Sequence, residues 1–292
     1  MNDLMGDETA RYAYCGKVFR RQERNSDRAS EYLQVGYEIF DRADVVKSDT
    51  DAFCIIKKAL GDLPLRIVTG DIGILMAAVS GLKTTDRRKK ALLRHIWRPK
   101  RFITTLENFT NDLSFSTERF DGFDEETSFG KHAKEIGLRS KSEITKRIEN
   151  LLLDGKAAPI STKERGVINS LLNIGDKCPQ ALIQLKALLP DMPALKIAIE
   201  KFERRLAALD KANVDLSVID FEISYGRTSM EYYDGFVFGF YSENNINLPP
   251  IATGGRYDAL TKHIGKGREI PAVGGVVRPD LILQSKGFED ND

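Results

Sequence analysis

The chain is poor in the residues that build covalent or metal frameworks. Cys15, Cys54 and Cys178 are three, an odd count at wide spacing with no CxxC, which excludes a disulfide frame or zinc site and predicts reduced thiols. His95, His132 and His263 have no partner at ligand spacing, so no metal is expected. Net charge is only +1, and no global field draws the chain to nucleic acid or an anionic membrane. No apolar run approaches the ~18 residues of a membrane span, and the start, MNDLMGDETA, lacks a signal-peptide stretch. These absences predict a soluble, cytoplasmic protein with no cofactor. Internal repeats and low-complexity segments are also missing.

What is present suits a packed fold. At 292 residues with 41% hydrophobic, the chain has room for roughly two domains or one elaborated one. Tyr12, Tyr14, Val18 and Phe19, then Tyr32, Leu33, Val35, Tyr37 and Ile39, predict two antiparallel strands joined by a charged loop that reaches over a ligand. A helix is expected over Ser48–Leu60, capped by Ser48 or Asp51, followed by the strand LPLRIVTGD and an apolar helix from Ile72 to Val79. From about 83 to 211 the apolar spacing is helical, clearest at Arg87–Trp97, Ile144–Leu153, Gly166–Leu172, Pro179–Leu189 and Ala194–Leu209. Strand signals return in LSVIDFEIS, GFVFGFY, PPIATGG and PAVGGVV. The pattern predicts an α/β fold with a largely antiparallel sheet interrupted by a helical insertion.

The pieces GKVFRRQ…EYLQVGYEIF, MEYYDGFVFGFY, ATGGRYDAL and PAVGGVV resemble motif 2, the two histidine-pocket segments and motif 3 of histidyl-tRNA synthetases, in family order from about residue 11 to 285. Any one alone is weak; QVGYE, EYYDG and GGRYD together are specific. The resemblance implies a class II synthetase-like core over residues 1–292, with the insertion at about 83–211. Gln34 and Glu38, four apart on one strand, point to one face; on their own they fit an exposed polar face equally well. By resemblance they meet the ammonium of bound histidine. Tyr232 and Tyr233 would supply an aromatic wall, although adjacent strand residues face opposite sides. Gly254 and Gly255 would let the backbone approach the ligand, and Arg256, Tyr257 and Asp258 are read as structural around that turn.

The catalytic pattern breaks. Adenylation needs cations where charge builds on the phosphates. Arg20 keeps the motif 2 arginine and could touch a phosphate or carboxylate, but Gln22 replaces the acid that follows. Thr228 stands where the family has an arginine, Arg227 lies one residue out of register, and Leu281 replaces the motif 3 arginine. No anticodon-binding domain follows motif 3. Loss of these parts resembles the regulatory subunits of ATP phosphoribosyltransferase. That implies a non-catalytic subunit that binds histidine and feedback-regulates a short catalytic partner in the first step of histidine biosynthesis, with no membrane partner expected and tRNA disfavoured. The alternative is a truncated or divergent histidyl-tRNA synthetase that still activates histidine. Phosphoribosyl transfer by this chain has little support, since VTGDIG offers one acid, Asp71, after the glycine. Motif 1, which builds the family homodimer, has no counterpart before motif 2, so weak dimerisation and weak histidine binding are expected. Lys83–Arg101 is read as one basic amphipathic helix, its nine Lys or Arg offset by the acidic stretch Glu118–Glu126.

Overall fold

A computed structural model describes residues 8–21, 30–111, 140–227, 231–265 and 269–287. Gln22, Thr228, His132 and the stretch Glu118–Glu126 lie outside the described residues. An eight-stranded sheet runs through the molecule in the order β1 (Ala10–Phe19), β2 (Glu31–Phe40), β8 (Ala272–Val277), β7 (Ala252–Arg256), β6 (Phe236–Ser242), β3 (Leu65–Asp71), β5 (Ile219–Glu222) and β4 (Gly175–Lys177). Every neighbouring pair is antiparallel except β3 with β5. The expected fold, an α/β core with a mostly antiparallel sheet, is what forms.

Ten α-helices occur among the described residues. α1 (Val45–Leu60) and α2 (Ile72–Gly81) follow β2 and β3. Between α2 and β5 come α3 (Asp86–Arg94), α4 (Pro99–Thr110), α5 (Lys141–Lys156), α6 (Thr162–Leu172), α7 (Cys178–Ala187) and α8 (Lys196–Lys211). α9 (Asp258–Ile264) follows β7, and α10 (Pro279–Ser285) follows β8. Caps set the starts: Asp44 accepts from the Lys47 amide, Asp71 from Gly73, and Ser140 and Ser161 form capping boxes with Glu143 and Glu164.

Two local expectations are corrected. α1 starts three residues before Ser48, because Asp44 takes the capping role; Ser48 sits inside the helix, where its hydroxyl donates to Asp41 Oδ2 and the Asp44 carbonyl, each at 2.9 Å. Lys83–Arg101 is not one helix: α3 ends at Arg94 with His95 as its cap, and after a turn Pro99 opens α4, holding Arg98 out of helical geometry. Leu92 and Ile96 of this stretch are fully buried, as an amphipathic stripe should be.

The helical stretch is not a separate body. One apolar core runs from Phe53 and Ile56 of α1 through Phe236, Phe238 and Phe240 of β6 to Phe202 and Leu206 of α8. β4, from within the stretch, adds an edge strand to the sheet. A buried charge network fastens the layers: Asp49 of α1 accepts from Arg205 of α8 at 2.9 Å and from Arg256 of β7 at 2.8 Å, while Arg205 also donates to Asp71 at 2.8 Å.

Candidate functional site

Strand alternation splits the sheet into two faces. Phe236, Phe238 and Phe240 turn toward Phe53 of α1. The other face carries the candidate site, and its floor is glycine. Across four neighbouring strands, a Cβ on Gly36 would strike the Tyr14 ring, on Gly274 the Glu38 carboxylate, on Gly255 the Tyr233 ring and on Gly239 the Tyr225 hydroxyl. Each missing side chain lets a functional group lie flat on the backbone.

Glu38 pairs with Gly274 across the ladder and is half-buried. The Tyr257 hydroxyl donates to its Oε2 at 2.6 Å, and no Lys or Arg among the described residues forms an ion pair with it. Burial pushes its carboxyl above the usual carboxylate range, and the Tyr257 hydrogen bond partly opposes this. Gln34 Nε2 donates to the Tyr14 hydroxyl at 3.2 Å, so both lie on the face expected for them. Tyr232 and Tyr233 pack with ring centroids 4.7 Å apart. They lie in a turn before β6, not in a strand, which is why both reach the same place. Tyr232 is exposed and stands edge-on to Tyr257 at 6.0 Å; Tyr233 is buried. Burial raises the hydroxyl pKa of Tyr232, Tyr233 and Tyr257, so all three remain neutral donors.

The predicted residues therefore divide. Gln34, Glu38, Tyr232, Tyr233 and Gly255 come together. Gly254 does not join them: its Cβ would point at Phe238 on the helix face, because adjacent strand positions alternate. Arg20 is an exposed residue just past β1 whose charge reaches Tyr232. Tyr257, read as structural, belongs to the site through Glu38, and Tyr14 was missed altogether. The available signal was register, since Tyr14 faces Gly36, the glycine between Gln34 and Glu38. Arg256 and Asp258 are structural, bonded to each other at 2.9 Å.

Of the arginines at issue for phosphate handling, Arg227 is buried in the helical layer, where it donates to the Ile96 carbonyl at 2.6 Å and stacks on Phe102. Burial lowers its pKa to about 10. Leu281 packs against the core. A groove of about 450 Å³ between α2 and α8 is separate from the sheet face and is walled by glycine and alanine around Lys201 and Asp234. The glycine-floored face is the better ligand site because its polar groups converge. No group of three or more metal-ligating side chains occurs among the described residues, and none of their helices is long and apolar enough to cross a membrane.

Asp234 anchors the tyrosine segment. Its carboxylate accepts from the Asp258 and Ala259 amides at the start of α9, and its own amide donates to the Arg256 carbonyl. Burial, with help from nearby Asp258, raises its pKa to about 6 from 3.8. The folded state thus holds this proton more tightly than the unfolded chain. The contribution is full below about pH 4 and lost as pH rises through about 6, amounting to about 2–3 kcal/mol. Urea titrations of the parent and Asp234→Asn are expected to show the parent's stability advantage shrinking by that amount over this window. A constant difference across pH would refute the assignment.

Similarity to known proteins agrees with this geometry. The family model for histidyl-tRNA synthetase matches residues 1–151 and 145–282. The ATP phosphoribosyltransferase regulatory subunit of Brucella ovis is 30% identical over an alignment of 302 residues, covering 95% of this chain and 77% of that protein, and its Brucella abortus counterpart matches to the same extent. The fold is similar to an ATP phosphoribosyltransferase regulatory subunit/histidyl-tRNA synthetase from Bacillus halodurans, with TM-score 0.60 and 19% identity, over 94% of this chain and 58% of that one. It is also similar to histidyl-tRNA synthetase from Nostoc, with TM-score 0.59 and 15% identity, over 99% and 57%. Synthetase-type motifs, a glycine-floored sheet face and a relative 30% identical over 95% of this chain converge: the chain belongs to the histidyl-tRNA-synthetase-like family of ATP phosphoribosyltransferase regulatory subunits.

Proposed function

We propose that the chain binds histidine on the glycine-floored face and regulates a short-form ATP phosphoribosyltransferase catalytic subunit in the cytoplasm, without catalysis of its own. The observation that carries this reading is Glu38, a half-buried carboxylate with a phenol as its hydrogen-bond partner and no cation paired to it among the described residues. A ligand ammonium supplies the missing positive charge. The hydroxyls of Tyr14, Tyr232 and Tyr257 and the amide of Gln34 offer donors and acceptors to an imidazole and a carboxylate. Histidine carries all three groups. Regulation follows if histidine binds more tightly to one state of the assembled complex than to another.

The competing reading is histidine activation as in a synthetase. It is disfavoured because Leu281 cannot bear charge and Arg227 is committed to Ile96 and Phe102. Purified protein is expected to show no histidine-dependent ATP–pyrophosphate exchange. Turnover above background that Arg20→Ala abolishes would sink the non-catalytic reading. Mixing with the cognate short catalytic subunit is expected to give a stable complex with a raised rate of phosphoribosyl-ATP formation.

A further inference from the structure

The wall of the histidine pocket is held by a corner of the helical layer. Three consecutive residues between α3 and α4 each bond to the segment that joins β5 to β6. The Ile96 carbonyl accepts from Arg227 Nε at 2.6 Å, Trp97 Nε1 donates to the Tyr233 carbonyl at 3.0 Å, and Arg98 donates to Glu231 at 3.3 Å. That segment carries both pocket tyrosines. From Trp97 an unbroken line of contacts leads inward. Tyr233 lies against Gly255 and beside Tyr232, Tyr232 stands edge-on to Tyr257, and Tyr257 donates to Glu38.

Trp97 is half-buried and packs against the apolar core, so its indole is an anchored donor. The Arg98–Glu231 pair is exposed and contributes little by itself. The bond from Trp97 is therefore the strongest candidate for setting where the tyrosine wall stands. Arg227, the other buried contact, points away into Phe102.

We infer that Trp97 is a positioning residue for the histidine pocket, holding the Tyr232–Tyr233 wall and coupling ligand occupancy to the α3–α4 corner of the helical layer. This rests on histidine binding at Glu38. A ligand that packs against Tyr232 pulls on the Tyr233 backbone, and the indole hydrogen bond passes that displacement to α3 and α4.

Trp97 is the single tryptophan of the chain, which makes the protein its own reporter. Histidine titrated into the full chain, excited selectively at the indole, is expected to shift Trp97 emission with the same midpoint as calorimetric binding. Glu38→Ala is expected to lose both signals. Trp97→Phe keeps an aromatic ring but removes the donor; it is expected to weaken histidine binding several-fold, with a thermal midpoint close to the parent's. Arg98→Ala, on an exposed side chain, is expected to leave both binding and folding nearly unchanged. Calorimetric binding with a silent tryptophan and unaltered affinity in Trp97→Phe overturns this inference alone. No calorimetric binding by the parent chain overturns the histidine pocket, and this inference with it.

Discussion

Replacing Glu38 by alanine is expected to abolish feedback inhibition by histidine while leaving assembly with the catalytic subunit intact. The carboxylate is half-buried, and its hydrogen-bond partner is the neutral Tyr257 hydroxyl. A bound ammonium would be its only cationic partner among the described residues. Truncating one side of such a desolvated charge pair costs about 2–5 kcal/mol, a loss of affinity of roughly thirtyfold or more. Some of that cost falls on Tyr257, whose hydroxyl loses its acceptor. Glu38 is not part of the buried network that fastens α1, α8 and β7, so the fold is expected to survive. Histidine inhibition curves of the assembled complex, with calorimetry on the free subunit, measure the effect. Inhibition equal to the parent's in the mutant removes Glu38 from the pocket.

The second large effect concerns stability. Asp49 is fully buried between two guanidiniums, those of Arg205 and Arg256, both also buried. Asp49→Ala leaves two charges in the interior with too few acceptors. Arg205 retains Asp71, and Arg256 retains Asp258 and the Val45 carbonyl, but Arg256 loses its closest countercharge and Arg205 one of its two. Removing one partner of a buried ion pair costs about 3–5 kcal/mol, a large share of the 5–15 kcal/mol that typically holds a domain together. Urea unfolding is expected to show a loss of that size, or the protein fails to accumulate in soluble form. Asp49→Asn preserves shape and one acceptor and is expected to cost less. A loss below about 1 kcal/mol in Asp49→Ala would mean the network is not closed as described. Because Arg205 comes from α8 and Arg256 from β7, the same mutation loosens the helical layer from the sheet that carries the pocket.

The strands were legible because their alternation is strong. EYLQVGYEIF sets Leu33, Val35, Tyr37 and Ile39 against Gln34, Gly36 and Glu38, GFVFGFY sets Phe236, Phe238 and Phe240 against Val237 and Gly239, and both form where expected. Helices in the 83–211 stretch were legible for the corresponding reason, apolar residues at three-to-four spacing, and three of them start after a capping Thr85, Ser140 or Ser161. Boundaries were less legible. Asp44 and Ser48 are both competent caps, and only the packing of Ser48 against Asp41 decides between them. Gln34 and Glu38 could be assigned to one face from their spacing alone. Tyr14 and Tyr257 could not be assigned to the site, since their roles depend on strand register and on a hydrogen bond to a residue 219 positions away.

By itself the sequence determined local periodicity, capping chemistry, the family motifs and the residue types that a histidine pocket needs. All of these are encoded within a few neighbouring positions. The tertiary structure alone decided which glycine of the Gly254–Gly255 pair lies against Tyr233 on the candidate-site face, that Arg227 is spent in the helical layer, and that Asp49, Arg205 and Arg256 share one buried site. It also decided that Trp97 of the helical layer touches the segment bearing the pocket tyrosines. Such facts join residues far apart in the chain, and the free energy that selects them is that of packing and desolvation at the contact. No local pattern carries that information, because the partner groups meet only when the layers close.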